Sequence, residues 1–166
     1  SMLEKHQNVV IKPLYLKGGE GIFKISELDD INSKMFNSLI KKYNSPLVVQ
    51  AFIKNVRFGD KRVLLVDGDP LGVVNRIPKS GEFKANLHLG GDAKITSLTP
   101  KEIEICKALK IFLIKNNLFF VGIDLIDEKL TEINVTSPTG VMQINELYNT
   151  DLATKIWTKL FKKVSQ

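Results

Sequence analysis

The feature that most constrains the fold is an alternation of apolar and polar residues on both sides of one short polar run. This alternation covers residues 119–135 and surrounds the polar run 127–129. Two alternating segments that flank a short turn are typical of a β-hairpin. If the loop consists of those three residues, Ile126 lies opposite Leu130 in the neighbouring strand. The pattern therefore predicts two paired antiparallel strands with a fixed register.

The predicted register brings two carboxylates together. Asp124 faces Glu132, with their Cβ atoms about 5 Å apart. Like charges directly opposite each other destabilise a sheet, and a bridging cation removes that cost. Asn134 lies two residues beyond Glu132 and so shares its face. Oxygen ligands without His or Cys suit Mg²⁺ or Mn²⁺. The three residues are a candidate metal site, and the alternative is a solvated polar face on an edge hairpin.

Length and composition limit the class of protein. With 166 residues, 43% of them hydrophobic, the chain is long enough for a packed core, and we expect one globular unit. It contains no run of about 18 apolar residues, and its first eight residues are too polar for a secretory signal. We therefore expect a cytoplasmic protein with no membrane partner. Cys106 lies in an apolar helical stretch and is interpreted as a small core residue.

The charge of the chain is basic but dispersed. The net charge is +6, and only three of the 24 basic residues are arginines. The lysines are spread along the chain and are not grouped with aromatic residues, so we expect no nucleic-acid partner. Arg62 and Arg76 can each hold a carboxylate or phosphate through two parallel hydrogen bonds, which lysine cannot do. Arg57 is interpreted as a surface residue.

The remaining periodicity predicts strands and helices without regular alternation. Strands are predicted at 9–14, 22–25, 47–53, 61–66 and 71–77, and helices at 28–43, from a capping box at Thr99 to about 116, and at 153–164. The turn Asp67-Gly68 joins two of the strands. Residues 78–98 form a long loop, and Trp157 is interpreted as a core residue of the last helix. This order indicates an α+β fold with mainly antiparallel sheets and packed helices.

A glycine-bearing segment follows the first predicted strand. Lys12 lies at the end of that strand, and Gly18 and Gly19 allow backbone N–H groups to approach a ligand closely. Taken alone, such a segment is more often an ordinary hairpin turn. Together with an acidic metal site and arginines, it forms a set suited to a nucleoside triphosphate.

Several motifs occur together in this order along the chain. They are Lys12-Pro-Leu14 with Gly18-Gly19, Gly59-Asp-Lys-Arg-Val-Leu64, Arg76-Ile-Pro78, Val121-Gly-Ile-Asp124 and, most specifically, Leu130-Thr-Glu-Ile-Asn-Val-Thr-Ser-Pro-Thr139. This set resembles the prokaryotic-type glutathione synthetases, whose ATP-binding part has the ATP-grasp fold. The resemblance extends from about residue 4 to the last helix.

The resemblance implies ATP-dependent ligation of γ-glutamylcysteine to glycine through an acyl phosphate. It implies ATP contacts from Lys12, Gly18, Gly19, Gln50, Ala51, Phe52, Ile53 and Asp60. It implies a Mg²⁺ site at Asp124, Glu132 and Asn134, and a catalytic role for Arg62 at the acyl phosphate. It implies peptide-substrate contacts from Arg76, Asn86, Ser137, Pro138 and Thr139.

Family members also carry an N-terminal substrate domain, and we find no match to it here. Residues 1–2 resemble an expression scar, and residues 3–166 are interpreted as the ATP-binding domain of a truncated, C-terminal portion. We expect this portion to have little activity alone, and the full-length enzyme to be a homo-oligomer. Two alternatives stay open: another ATP-grasp peptide ligase, and a non-catalytic nucleotide-binding or basic interaction module.

Overall fold

The computed structural model describes residues 2–16, 18–26, 30–85 and 92–165. The chain divides into two compact units, Ser1–Lys54 and Asn55–Gln166. We expected one globular unit, and the structure differs in having two compact units; the assignment of residues 3–166 to one ATP-binding domain stays a prediction. The composition of the chain gives no boundary because both units combine amphipathic strands with a lysine-rich surface.

The first unit is a three-stranded antiparallel sheet with two helices. Its elements are α1 (Met2–His6), β1 (Val9–Pro13), β2 (Phe23–Ile25), α2 (Asp30–Tyr43) and β3 (Leu47–Ala51), with strand order β2-β1-β3. Alternate residues of β1 point to one face, where Val9 and Ile11 are buried with Ile25. Met35 and Phe36 of α2 cover this small core.

The second unit is built on a five-stranded sheet, and a short 3₁₀-helix at Lys54–Phe58 precedes it. Its elements are β4 (Asp60–Val66), β5 (Asp69–Ile77), β6 (Asp92–Lys94), α3 (Pro100–Lys115), β7 (Phe120–Ile126), β8 (Lys129–Asn134), α4 (Val141–Tyr148) and α5 (Leu152–Val164). The strand order is β6-β5-β4-β7-β8, and every pairing is antiparallel. The predicted α+β class with antiparallel sheets is confirmed.

The sheet of the second unit is covered on both faces. On one face, Val63 and Leu65 pack with Cys106 and Leu113 of α3. On the other, Leu64 and Val74 pack with Ile144 of α4 and Leu152 of α5, and we call these four residues the apolar cluster. Cys106 is 1% exposed, which confirms its assignment to the core.

The predicted turn and cap are both present. Asp67 and Gly68 have φ angles of 54° and 79°, the left-handed values that a tight β4–β5 turn needs. The Thr99 side chain accepts a hydrogen bond from the backbone N–H of Glu102, whose carboxylate accepts one from the backbone N–H of Thr99. This capping box begins α3 as predicted.

Three features differ from the sequence prediction. The long loop contains β6, a strand too short to show periodicity. The C-terminal region forms α4 and α5, where we predicted one helix. Trp157 is 57% exposed, so its assignment to the core is wrong: Leu152 anchors α5, while Trp157 and Phe161 lie on the outer side. In the described ranges, no helix is long and apolar enough to cross a membrane.

Candidate metal and nucleotide site

The β7–β8 hairpin places Asp124 directly opposite Glu132, as predicted. The route to that register differs from the prediction, however. The turn contains only Asp127 and Glu128, both with positive φ, so Ile126 pairs with Lys129 and the predicted pairing with Leu130 is wrong.

A β-bulge next to Asp124 restores the register. Asp124 pairs with Glu132 and Leu125 pairs with Leu130, so Thr131 is the extra residue on β8. The Thr131 hydroxyl donates a hydrogen bond to the Asp124 carbonyl oxygen over 3.1 Å. This bond ties the bulge to the residue that the candidate site depends on.

The Asp124 carboxylate is held by two arginines from neighbouring strands. Arg62 lies opposite Asp124 in β4; its Nε is 2.5 Å from Oδ1 and its Nη2 is 3.0 Å from Oδ2. The Nη2 atom of Arg76, from β5, is also 3.0 Å from Oδ2. All three residues are at most 6% exposed. A buried carboxylate with two guanidiniums is therefore a defining feature of this site.

A second carboxylate completes what we call the charged cluster: Asp60, Arg62, Arg76 and Asp124. Asp60 lies opposite Arg76, and its Oδ2 accepts a hydrogen bond from Nη2 of Arg76 over 2.6 Å. Burial and the neighbouring charge of Asp124 raise the pKa of Asp60 to about 6. Burial alone would raise the pKa of Asp124 too, but Arg76 and Arg62 outweigh it and hold that pKa below its ordinary value. Asp124 is thus ionised at neutral pH.

Two glycines leave the space that the Arg62 side chain occupies. A Cβ at Gly122 would lie 3.0 Å from Pro138 and 3.3 Å from Cδ of Arg62, and one at Gly140 would lie 3.3 Å from its Cγ. The Arg62 Nη1 atom then donates to the Thr139 carbonyl oxygen over 3.1 Å. Sequence reasoning missed the role of both glycines, although a glycine two residues before Asp124 in a buried strand indicates a close approach.

The residues at the end of the hairpin fit a cation that prefers oxygen. Asn134 pairs with Gly122, and its Nδ2 atom is buried with no hydrogen-bond partner in the described part of the chain. Because an amide exchanges N and O on a 180° rotation, this position suits an Oδ1 atom facing a cation. Among the described residues, no group of three or more His, Cys, Asp or Glu could hold a metal. Any cation here must therefore complete its shell with amide, water or phosphate oxygens.

The other candidate residues lie in the first unit, in the segment that follows β8, or outside the described residues. Lys12 is in β1, Gly18 and Gly19 are in a turn with φ of 69° and 81°, and residues 50–53 cover the end of β3 and the segment after it. All of these belong to the first unit. Ser137 and Pro138 lie in the segment between β8 and α4, beside Thr139. Asn86 lies outside the described residues.

Comparison with solved structures defines the class of fold. The chain is similar to the ATP-grasp ligase PsnB in a complex with Mg and ADP, with a TM-score of 0.65 and 14% identity over 98% of this chain and 48% of that one. It is also similar to a D-alanine–D-alanine ligase from Bacillus anthracis complexed with ATP, with a TM-score of 0.61 and 16% identity over 93% of this chain and 51% of that one. The fold is that of the ATP-grasp proteins.

Sequence comparison defines the family within that class. Residues 1–149 match the model of the prokaryotic glutathione synthetase ATP-grasp domain, and the chain belongs to this family. It is 43% identical to a glutathione synthetase of Prochlorococcus marinus subsp. pastoris, over 95% of this chain and 51% of that protein. It is 46% identical to a glutathione synthetase of Synechocystis sp., over 93% of this chain and 48% of that protein. The chain thus spans about half the length of these relatives.

Proposed function

We propose that this chain is the ATP-binding part of a ligase that joins the carboxylate of γ-glutamylcysteine to the amine of glycine at the expense of ATP. The observation that carries the proposal is the charged cluster beside Glu132, in a chain of the glutathione synthetase ATP-grasp family. Buried arginines that face a carboxylate pair suit a reaction in which anionic groups must be brought together.

The first step of such a reaction transfers a phosphoryl group from ATP to the peptide carboxylate and releases ADP. Two anions approach each other in this step, so positive charge must be fixed in advance where they meet. In our proposal Arg62 supplies that charge at the acyl phosphate, because Asp124 and Thr139 hold its guanidinium at both ends. The glycine amine then attacks the acyl carbon, and phosphate leaves.

The cation site of this reaction would be formed by Asp124, Glu132 and Asn134, which share one face of the hairpin. The buried Nδ2 atom of Asn134, which has no hydrogen-bond partner among the described residues, supports this assignment. A bound Mg²⁺ would neutralise charge on the transferred phosphoryl group. The Thr131 bulge would keep Asp124 and Glu132 opposite each other.

The remaining roles follow from the family. Lys12, Gly18 and Gly19 would contact the ATP phosphates, residues 50–53 would contact adenine through backbone groups, and Asp60 would also contact ATP. Arg76, Asn86, Ser137, Pro138 and Thr139 would bind the peptide substrate. We further propose that the enzyme is cytoplasmic and, as a full-length protein, a homo-oligomer.

The test is phosphate release by the longest reading frame that contains this chain. We expect ATP-dependent release with γ-glutamylcysteine and glycine, and none when either is omitted. Release only with another acid and amine pair, such as D-alanine, would reassign the substrate to a different ATP-grasp ligase. Absence of nucleotide binding, combined with salt-sensitive binding of DNA, would instead indicate a basic interaction module.

A further inference from the structure

Both oxygen atoms of the Asp124 carboxylate already contact arginine side chains, and a bound cation would need at least one of these oxygens. Its Oδ1 atom accepts from Nε of Arg62, and its Oδ2 atom accepts from Nη2 of Arg62 and forms an ion pair with Nη2 of Arg76. A cation that binds Asp124 must therefore share the carboxylate with two positive charges or displace one of them. Like charges at this separation repel, and burial strengthens that repulsion.

Each arginine also has a second acceptor already in place. Arg76 donates from Nη2 to Asp60 over 2.6 Å, which is shorter than its 3.0 Å contact with Asp124. Arg62 donates from Nη1 to the Thr139 carbonyl oxygen. Arg76 can therefore release Asp124 and keep a carboxylate partner, which avoids the strongly unfavourable state of a buried, unpaired charge, whereas Arg62 would keep a neutral hydrogen-bond acceptor until an anion reaches it. The contacts of Arg62 and Arg76 with Asp124 can thus be given up in favour of other acceptors.

We propose that Arg62 and Arg76 keep Asp124 from binding a divalent cation until an anionic polyphosphate arrives to interact with Arg62, while Arg76 keeps its contact with Asp60. Cation and polyphosphate then bind as a linked pair, and bare cation binds weakly. This inference rests on the proposed function, because it concerns the same site. It also assigns a specific role to Arg76, which controls cation binding through its contact with Asp124.

The inference predicts a coupling that can be measured without turnover. Binding linkage is reciprocal, so polyphosphate should raise the affinity for the cation by the same factor by which the cation raises affinity for polyphosphate. Removing the Arg76 charge should strengthen binding of bare cation and reduce the coupling. A purely structural role for Arg76 predicts the opposite, since a disturbed site binds cations less well.

The experiment is a Mn²⁺ titration of the 166-residue chain by electron paramagnetic resonance, first without nucleotide and then with ATP. The ATP data are corrected for Mn²⁺–ATP formation in buffer. We expect Arg76→Gln to bind bare Mn²⁺ about tenfold more tightly than the wild-type chain, within the usual range of coupling factors. The added substitution Glu132→Gln should abolish this gain. The matched control is Arg57→Gln, which removes an exposed arginine and should change nothing.

Folding is checked by circular dichroism, because Arg76→Gln leaves Asp60 without its guanidinium partner. If that variant does not fold, Asp60→Asn with Arg76→Gln is compared with Asp60→Asn alone, and tighter Mn²⁺ binding by the double variant is expected. Equal or weaker Mn²⁺ binding in a folded Arg76 variant would overturn the inference while leaving the metal site intact. A wild-type chain that binds no Mn²⁺ even with ATP would overturn the metal site and this inference together.

Discussion

The central strand β4 carries two different clusters on one face of the same sheet. Leu64 lies in the apolar cluster with Val74, Ile144 and Leu152. Two residues earlier, Arg62 lies in the charged cluster. The backbone pairing is the same at both points, but the apolar cluster requires only close packing, whereas the charged cluster requires a partner for every group. A buried ion network is an inefficient way to stabilise a fold, which points to a functional reason for the charged cluster.

The largest expected effect comes from breaking the charged cluster on one side. Arg62→Met keeps most of the side-chain volume but leaves Asp124 with Arg76 as its only guanidinium partner among the described residues. We expect a loss of about 4 kcal/mol in the free energy of unfolding, measured by urea denaturation, because a buried charge loses one of its two counter-ions. The control Arg57→Met, at an exposed position, should change stability by no more than about 0.5 kcal/mol. Similar small losses in both variants would show that the cluster is not held by charge pairing.

The matching change in the apolar cluster should affect stability but not ligand binding. Leu64 is fully buried, and Leu64→Ala removes packing against α4 and α5. We expect a loss of about 3 kcal/mol in the free energy of unfolding. Mn²⁺ affinity in the presence of ATP should stay unchanged under conditions where the variant is folded. A parallel loss of Mn²⁺ affinity would mean that the two clusters are not independent.

Asp60 gives the charged cluster a pH dependence that the apolar cluster lacks. Its pKa rises from 3.8 to about 6 on folding, so the folded protein binds more protons than the unfolded chain between those values. The stabilisation that Asp60 gives the folded protein is complete below about pH 4 and is lost as the pH rises to 6. The free energy of unfolding falls by no more than about 3 kcal/mol over this range for that reason. Asp124 has a lowered pKa, so the stabilisation that it gives the folded protein is lost only as the pH falls below the range of about pH 4 to 6.

The check is the free energy of unfolding of wild-type and Asp60→Asn proteins measured from pH 4 to pH 6.5. The wild-type curve should fall with rising pH relative to the variant curve, because asparagine does not titrate. Leu64→Ala serves as the control and should shift the curve without changing its slope. Parallel wild-type and Asp60→Asn curves would contradict the raised pKa of Asp60.

The smallest expected effect lies on the opposite face of the sheet. Thr99→Ala removes the side-chain oxygen that caps α3, and we expect a loss of about 1 kcal/mol in thermal or urea unfolding. Thr158→Ala, at an exposed position inside α5, should be neutral or slightly stabilising because alanine favours helix. Neither variant should change Mn²⁺ or ATP binding. A change in binding by Thr99→Ala would extend the site to the α3 face.

The sequence predicted the Asp124–Glu132 pairing better than it predicted the path to it. Alternation identified the two strands, but the turn is one residue shorter than expected and the Thr131 bulge compensates. A bulge has no periodic pattern of its own and was not predicted. The predicted turn was one residue too long and the predicted strand lacked the one-residue bulge, and these two errors cancelled. The same limit explains Trp157: helical spacing groups it with Ile156 and Leu160, but only contact with the sheet decides which side of α5 is buried.

The charged cluster shows a further limit of sequence reasoning. Arg62 and Arg76 stood out as two of only three arginines, yet their joint contact with Asp124 depends on the strand order β5-β4-β7. That order joins residues 62 apart in the chain and cannot be read from local periodicity. Ser137, Pro138 and Thr139 were expected only as substrate contacts, and the hydrogen bond from Arg62 to Thr139 depends on Gly122 and Gly140 both lying beside the Arg62 side chain.

The most direct test of the metal and nucleotide site is calorimetric titration of ATP into the 166-residue chain, with and without Mg²⁺. Glu132→Gln is compared with Glu146→Gln, which makes the same chemical change at an exposed position of α4. Our account predicts that Mg²⁺ strengthens ATP binding by the wild-type chain and by Glu146→Gln. It predicts that Glu132→Gln loses about tenfold or more of that gain. An equal gain from Mg²⁺ in all three proteins would contradict the assignment of Asp124, Glu132 and Asn134 as the metal site.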